Sequence, residues 1–377
     1  MHDLWTGEET VRIGFVAEDL LLDNGILRPS GCSYYRCLLP KNVTHPEMSA
    51  FGPPAFTAEH GFGVRLNKTQ AEFGFDTIVM KMLMSRWVPK HMQIAQDLGQ
   101  KIIVDVDDHY DFIHDDNVAS KNTDPENNAI RNREHYRAVI RQSDLVTVST
   151  PELYNYYKDQ VKDVRLVRNG INPDQFRKRD VKNRKPVLGW AGAMNWRSGD
   201  AETARAWLPE LLEEHDLMFH HAGHMPDSPK FWEKAGVPEE RMILSPMKPL
   251  HKYAEMLDFD IGVVLLSDIP FNKAKSTIKG LEYAATNIPF VAQGLPEYAL
   301  LAEQGVGRVA NTPAEWRQHI TELLDYKTRK REAAIQRNLV IKDHSIQARA
   351  YEWKAIFEEG INNILPIRTM KVSYLQA

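Results

Sequence analysis

The sequence predicts an α/β protein of two domains, each a parallel sheet covered by helices, and three observations lead there. Short apolar runs alternate with longer amphipathic stretches, the pattern of strands buried between helical layers. The runs fall into two sets separated by a basic, turn-rich junction. A chain of 377 residues is long enough for two such domains, each with its own core.

In the first set, apolar runs at residues 11–17, 77–81, 101–106 and 144–149 read as strands. A loop containing Pro29, Ser30 and Gly31 follows the first of them and leads into an aromatic helix start at Tyr34 and Tyr35. Residues 111–133 are polar and carry Asn, Asp and Pro, so a long loop is expected there. Between Arg165 and Lys185 stand eight Lys or Arg against two Asp, around the turn Asn169-Gly170-Ile171-Asn172-Pro173. That is the expected junction between domains. The second set follows at residues 186–191, 217–222, 242–244, 261–266 and 288–292. Residues 344–364 then read as a helix, with Ile346, Ala350, Trp353, Ile356 and Phe357 at helical spacing.

Composition narrows the classes of function. Hydrophobic residues make up 43% and charged residues 26%, ordinary values for a globular protein. A formal charge of −4 argues against coating nucleic acid or an anionic membrane by bulk charge. Cys32 and Cys37 are the only cysteines, so a disulfide framework is not the design and a reducing compartment is expected. The N-terminal stretch is acidic and lacks the layout of a signal peptide. The strongest apolar run, 261–266, is far too short to span a bilayer. A cytoplasmic protein is expected.

The stretch from Asp258 to Ala285 carries the most chemistry. A buried strand ends in a loop containing Pro270, and a helix opens near Ser276 and Thr277. A helix N-terminus at the carboxyl end of a parallel strand offers backbone N–H groups and positive dipole to a diphosphate. Lys273, Lys275 and Lys279 add charge around the same turn. Glu282 lies six residues past Ser276, where a carboxylate can accept hydrogen bonds from ribose hydroxyls.

The string from Phe271 to Ala292, FNKAKSTIKGLEYAATNIPFVA, resembles the donor-site signature of the group 1 retaining glycosyltransferases. Further stretches resemble that family in the right order: Asn169-Gly170-Ile171-Asn172 at the domain junction, residues 187–200 opening the donor domain, and Phe219 to His224 at the next strand end. Pro249 to Tyr253, ahead of Phe259 and Asp260, leads to the signature strand in the same way. The resemblance covers residues 165–345 well and the first half loosely. It implies the GT-B fold, two Rossmann-like domains facing across a cleft. Residues 1–170 would take the acceptor and residues 171–345 the nucleotide sugar, with the tail 346–377 packing back on the first domain. It further implies sugar transfer with retention, with a UDP-hexose as the expected donor and no metal or other cofactor.

By the same resemblance Glu282 binds the donor ribose, and the loop from Gly31 to Arg36 lies over the pyrophosphate, with Arg36 a cation for acceptor or phosphates. Many members of the family carry two glutamates eight residues apart. Here Ala274 stands at the first position, so the sugar-ring contact is expected from Asn272 or from backbone groups. Gly192 lets the backbone approach a diphosphate closely. Arg197 and Lys275 are the cations expected on the leaving phosphates in place of a metal. His220, His221 and His224 do not have zinc-site spacing, because adjacent strand residues point to opposite faces. His224, at the strand end, is the one placed near a donor. In the first half, Asp107, Asp108 and His109 follow a strand at its carboxyl end, and Asp108 is the expected proton acceptor for an attacking hydroxyl.

The reading is therefore a hexosyltransferase using a nucleoside-diphosphate sugar. The acceptor class stays open among a protein side chain, a modified nucleic-acid base, a glycan and a small molecule. The alternative is a GT-B protein that binds nucleotide sugars without turnover. A dinucleotide oxidoreductase is disfavoured because no G-x-G-x-x-G follows the first strand.

Overall fold

The structure, a computed structural model, describes residues 11–23, 26–44, 48–117, 119–120, 132–197, 199–361 and 373–374. The chain divides into two compact units. The first comprises Met1–Asp107, Ala129–Arg168 and Ala350–Ala377, and the second Asp108–Asn128 and Asn169–Arg349.

In the first unit the chain runs through β1 (Ile13–Ala17), a hairpin of β2 (Leu20–Asp23) and β3 (Ile26–Pro29), and β4 (Ser49–Gly52). A meander of β5 (Pro54–Thr57), β6 (Gly61–Arg65) and β7 (Gln70–Glu72) follows. Then come β8 (Thr77–Lys81), β9 (Lys101–Val106), β10 (Leu145–Val148) and β11 (Val164–Leu166). Six of these form a parallel sheet in the order β11-β10-β9-β8-β1-β4. Strands β1, β8 and β10 are buried along their whole length, as strands covered on both faces must be. Ile13, Phe15, Val79 and Ile103 pack with Trp353, Ile356 and Phe357 of the helix Ile346–Ile361. That helix therefore returns the end of the chain to the first core, in keeping with the apolar spacing of its sequence.

This unit also holds a buried charge cluster that overturns one expectation. Arg36 is 0 % exposed, and its guanidinium donates to Asp105 from Nε at 3.0 Å and from Nη2 at 2.6 Å. Its Nη1 donates to the Val167 carbonyl at 2.6 Å, and Thr147 donates to the same Asp105 carboxylate at 2.6 Å. The guanidinium carbon lies 5.0 Å from the centroid of the Trp353 ring. Arg36 thus ties β9 to the residue after β11 and packs on the C-terminal helix, and it is not presented to phosphates or to an acceptor. Losing one partner of such a buried pair costs about 3–5 kcal/mol, because the other charge is left without compensation. Asp107 is held in the same way by Lys81, itself 0 % exposed. Burial pushes the Asp107 carboxyl up, but the Lys81 ammonium and the Cys32 thiol outweigh it and leave the carboxyl below its ordinary range. Gly31 opens a short helix in an exposed position, and a Cβ there meets nothing within 4 Å.

The second unit runs β12 (Leu188–Ala191), β13 (Phe219–His224), β14 (Met242–Pro246), β15 (Ile261–Val264), β16 (Phe290–Gln293) and β17 (Arg308–Ala310). They form one parallel sheet in the order β14-β13-β12-β15-β16-β17. This is the doubly wound order that reverses once, between β12 and β15, and such sheets bind ligands at the carboxyl ends of the strands flanking the reversal. One face packs Trp190, Leu211 and Phe219 with Trp207, whose ring stacks on Trp316 at 4.7 Å. The other packs Phe259, Leu281, Tyr283 and Phe290.

The β2–β3 hairpin, strands β4, β11 and β17 and the β5–β7 meander were not anticipated. Ser49–Gly52 and Gly61–Arg65 are broken by glycine, and β11 is a three-residue strand inside the basic junction. Residues Asp108–Asn128 group with the second unit rather than the first. Asp108 there pairs with Lys275, and Tyr110–Phe112 forms a single 3₁₀ turn. Residues 121–131 of the expected 111–133 loop lie outside the described residues, as do residues 1–10. Among the described residues no helix is long and apolar enough to cross a membrane.

Candidate active site

The reversal in the second sheet brings two loops together, one after β12 and one after β15. Gly192 ends β12 at φ +146°, a backbone conformation that side chains with a Cβ rarely adopt. Its N–H donates to the Ala222 carbonyl at 2.8 Å, and its own carbonyl meets Nε2 of His221 at 3.0 Å. The chain then makes a 3₁₀ turn, Met194–Trp196, and delivers Arg197. The Arg197 guanidinium lies 3.7 Å from Asp200 Oδ2 and 5.9 Å from the centroid of the Trp190 ring.

Asp200 joins the two loops. It is 1 % exposed, and its Oδ1 accepts from the Ser267 N–H at 2.9 Å and from Asn272 Nδ2 at 2.8 Å. Asn272 also donates to the Ser267 carbonyl at 3.0 Å, and it is 3 % exposed. Asn272 is therefore a fastener between loops, with its amide nitrogen turned to Asp200 and Ser267 rather than to a sugar. Ala274, at the position of the first glutamate, is wholly buried.

Lys275 follows, 17 % exposed, with its ammonium 3.1 Å from Asp108 and 4.2 Å from the centroid of the Phe271 ring. The Ser276 hydroxyl accepts from Asn169 Nδ2 at 2.8 Å, which ties the junction turn to the start of the helix Ile278–Ala285. Thr277 precedes that helix and makes no side-chain cap. Glu282 is 5 % exposed, and the Tyr253 hydroxyl donates to it. Burial, then the Glu282 charge, push the Tyr253 hydroxyl well above its ordinary value.

Tyr283, which sequence reasoning did not single out, and Lys279, which it read only as charge around the turn, complete the frame. The Tyr283 hydroxyl accepts from the Ala191 N–H at 2.8 Å, and Lys279 donates to the Ala191 carbonyl. Their spacing of four on one helix face was legible. Their common target at the end of β12, 88 residues from Lys279, was not.

The histidines of β13 go to separate partners. His220 meets the Asp258 carbonyl at 3.1 Å and the Ser245 hydroxyl at 2.8 Å. His221 is buried, and desolvation lowers it to about 4, so it is neutral near pH 7. His224 stands at the strand end, half-buried, its ring 5.8 Å from His221 and 5.9 Å from Trp232. His109 is 4 % exposed with its ring edge-on to Phe112 at 4.3 Å, and burial lowers it to about 4. Asp108 remains, 24 % exposed and carrying the ion pair to Lys275.

The second unit therefore groups Gly192, Arg197, Lys275, Ser276, Thr277, Glu282 and Asp108 on two loops, one helix start and the 108–112 turn. Arg36, Asp107 and Gly31 belong to the first unit. This arrangement defines the class of fold. Two doubly wound parallel sheets in one chain, with the last helix returned to the first core, make the GT-B fold. Solved structures similar to this chain include Anabaena HepE in complex with UDP-glucose, at TM-score 0.62 and 14% identity, covering 93% of this chain and 100% of that one. A glycosyltransferase from Rickettsia africae is similar at TM-score 0.55 and 11% identity, over 77% of this chain and 78% of its own. Sucrose-phosphate synthase from Thermosynechococcus elongatus is similar at TM-score 0.53 and 14% identity, over 76% and 74%. At these identities the likeness is one of fold. Neither a family model nor a curated protein matches the sequence.

Proposed function

We propose that this chain is a glycosyltransferase that moves a hexosyl group from a nucleoside-diphosphate sugar to a hydroxyl acceptor, with retention at the anomeric carbon. One observation carries the reading. Arg197, Lys275 and the start of the helix Ile278–Ala285 stand together at the reversal point of the second sheet, with Glu282 about one turn along that helix. Cations and a helix start suit a diphosphate, and a buried carboxylate suits ribose hydroxyls. A UDP-hexose is the favoured donor, since HepE, of the same fold, was solved with UDP-glucose.

In the reaction the bond from the anomeric carbon to the diphosphate oxygen breaks, and the acceptor oxygen bonds to that carbon from the same face, so that the configuration is retained. Negative charge grows on the leaving diphosphate, where Arg197, Lys275 and the helix N-terminus stabilise it without reorganisation. The acceptor proton passes to the Asp108 carboxylate. Fixed cations make a metal unnecessary in this scheme.

The test is transfer or hydrolysis with a panel of UDP-, GDP- and ADP-sugars in the presence and absence of a chelator. Turnover with at least one donor, unchanged by chelation, is expected. A strict requirement for magnesium or manganese contradicts the role given to Arg197 and Lys275. Binding without turnover would leave a nucleotide-sugar-binding protein.

A further inference from the structure

Lys279 is a third cation at this site, and the scheme above gives it no task. It lies in the first turn of the helix Ile278–Ala285, and its Nζ donates to the carbonyl of Ala191 at the end of β12. The ammonium is 5.1 Å from the centroid of the Trp190 ring, which Arg197 also approaches, at 5.9 Å. A Cβ on Gly192 would sit 3.2 Å from Nζ, so the glycine leaves the ammonium room at the mouth of the loop. Tyr283, on the same helix face, already fastens Ala191 through its N–H. The helix–strand contact therefore has a neutral anchor beside the lysine, and a second, charged one is more than packing requires.

The groups facing Lys279 come from each element around it. Arg197 and Asp200 lie in the loop after β12, Lys275 precedes the helix, Glu282 is on the helix, and His221 is on β13. Lys275 has Asp108 as its partner and Arg197 has Asp200. Among the described residues Lys279 hydrogen-bonds only a carbonyl oxygen, a partner easier to exchange for a phosphate oxygen than a carboxylate is.

We infer that Lys279 is a further donor-binding residue, one that takes up a proton as the donor's diphosphate binds and turns from the Ala191 carbonyl to a phosphate oxygen. This rests on the nucleotide-sugar reading above. Burial first, then the Arg197 charge, lower the empty-site lysine to about 7, with Glu282 and Asp200 opposing and Lys275 reinforcing the shift. An arriving diphosphate favours the charged form and raises it again. Below pH 6 the lysine is already protonated, and binding takes up nothing. Above pH 7 the proton must come from solvent, so donor affinity falls as pH rises.

The experiment is calorimetry with UDP-glucose, whose diphosphate is esterified at both ends and does not titrate in this range, at pH 6 and pH 8 in buffers of different ionisation enthalpy. Uptake close to zero at pH 6 and about 0.9 proton at pH 8 is expected from a group titrating near 7. Lys279→Met, with folding checked by thermal melting, should abolish the uptake and weaken binding at pH 6 by about 10- to 100-fold, the scale of a lost charge-assisted hydrogen bond. Lys279→Arg keeps a cation that does not titrate, and should bind without proton uptake. Wild-type binding heats that are independent of buffer at both pH values overturn the inference and leave the donor reading standing. So does a folded Lys279→Met variant with unchanged affinity. Failure of the wild type to bind UDP-, GDP- or ADP-sugars overturns the donor reading itself.

Discussion

Lys275→Ala lowers the turnover number for sugar transfer by about 10²–10³-fold, the range for removing one preorganised group from developing negative charge. The same change leaves stability nearly untouched. The Lys275–Asp108 pair is partly solvated, at 17% and 24% exposure, and such pairs contribute only about 0–1 kcal/mol. The contact with Phe271 adds a cation–π term of the same order. Steady-state kinetics at saturating donor, alongside a thermal melt, separate the two effects. A variant that keeps full turnover places the leaving-group charge elsewhere. A variant that unfolds makes Lys275 a packing residue.

Asp108→Asn should reduce transfer by about 100-fold or more, the low end for a positioned general base. Donor affinity should hold or rise, because the substitution frees Lys275 from its 3.1 Å carboxylate partner while leaving the backbone of the turn in place. His109 cannot take over. It is buried against Phe112 and lies far below its ordinary value, so it is a neutral ring turned to the interior. Asp107 cannot either, being held by Lys81. Transfer rates and nucleotide affinity measured on the same preparation decide the matter. Full transfer by the asparagine variant moves the proton acceptor to another group, and a loss of donor affinity equal to the loss of rate makes Asp108 a binding residue.

The fold was legible where burial on both faces writes a continuous apolar run. Residues 101–106 and 261–266 read as strands and form β9 and β15. The C-terminal helix was legible because Trp353, Ile356 and Phe357 keep helical spacing and are buried in the first core. Strands without such a run were not seen. Ser49–Gly52 is paired by β1 alone, at the sheet edge, and Arg308–Ala310 spans three residues. At the site, a motif of contiguous residues placed Lys275 and Glu282 on one loop and its helix. What it did not hold was partnership across the sequence. A basic residue after a glycine loop reads alike whether it faces a ligand or, as Arg36 does, meets Asp105 69 positions away. Asn272 misled in the same manner, since Asp200 lies 72 residues upstream of it. Lys279 read as one more charge around the phosphate-binding turn, and nothing near it in sequence announces Ala191.

The central claim is that the second unit holds a nucleotide sugar with its ribose on Glu282, and calorimetric titration of wild type and Glu282→Ala with UDP-glucose tests it most directly. Glu282 is buried and takes the Tyr253 hydroxyl, so it is positioned before any ligand arrives. If it also accepts from ribose hydroxyls, the folded variant binds more weakly by roughly 2–3 kcal/mol, the scale of lost hydrogen bonds to a charged group. Unchanged affinity in a folded variant would contradict the assignment of this site to the donor ribose.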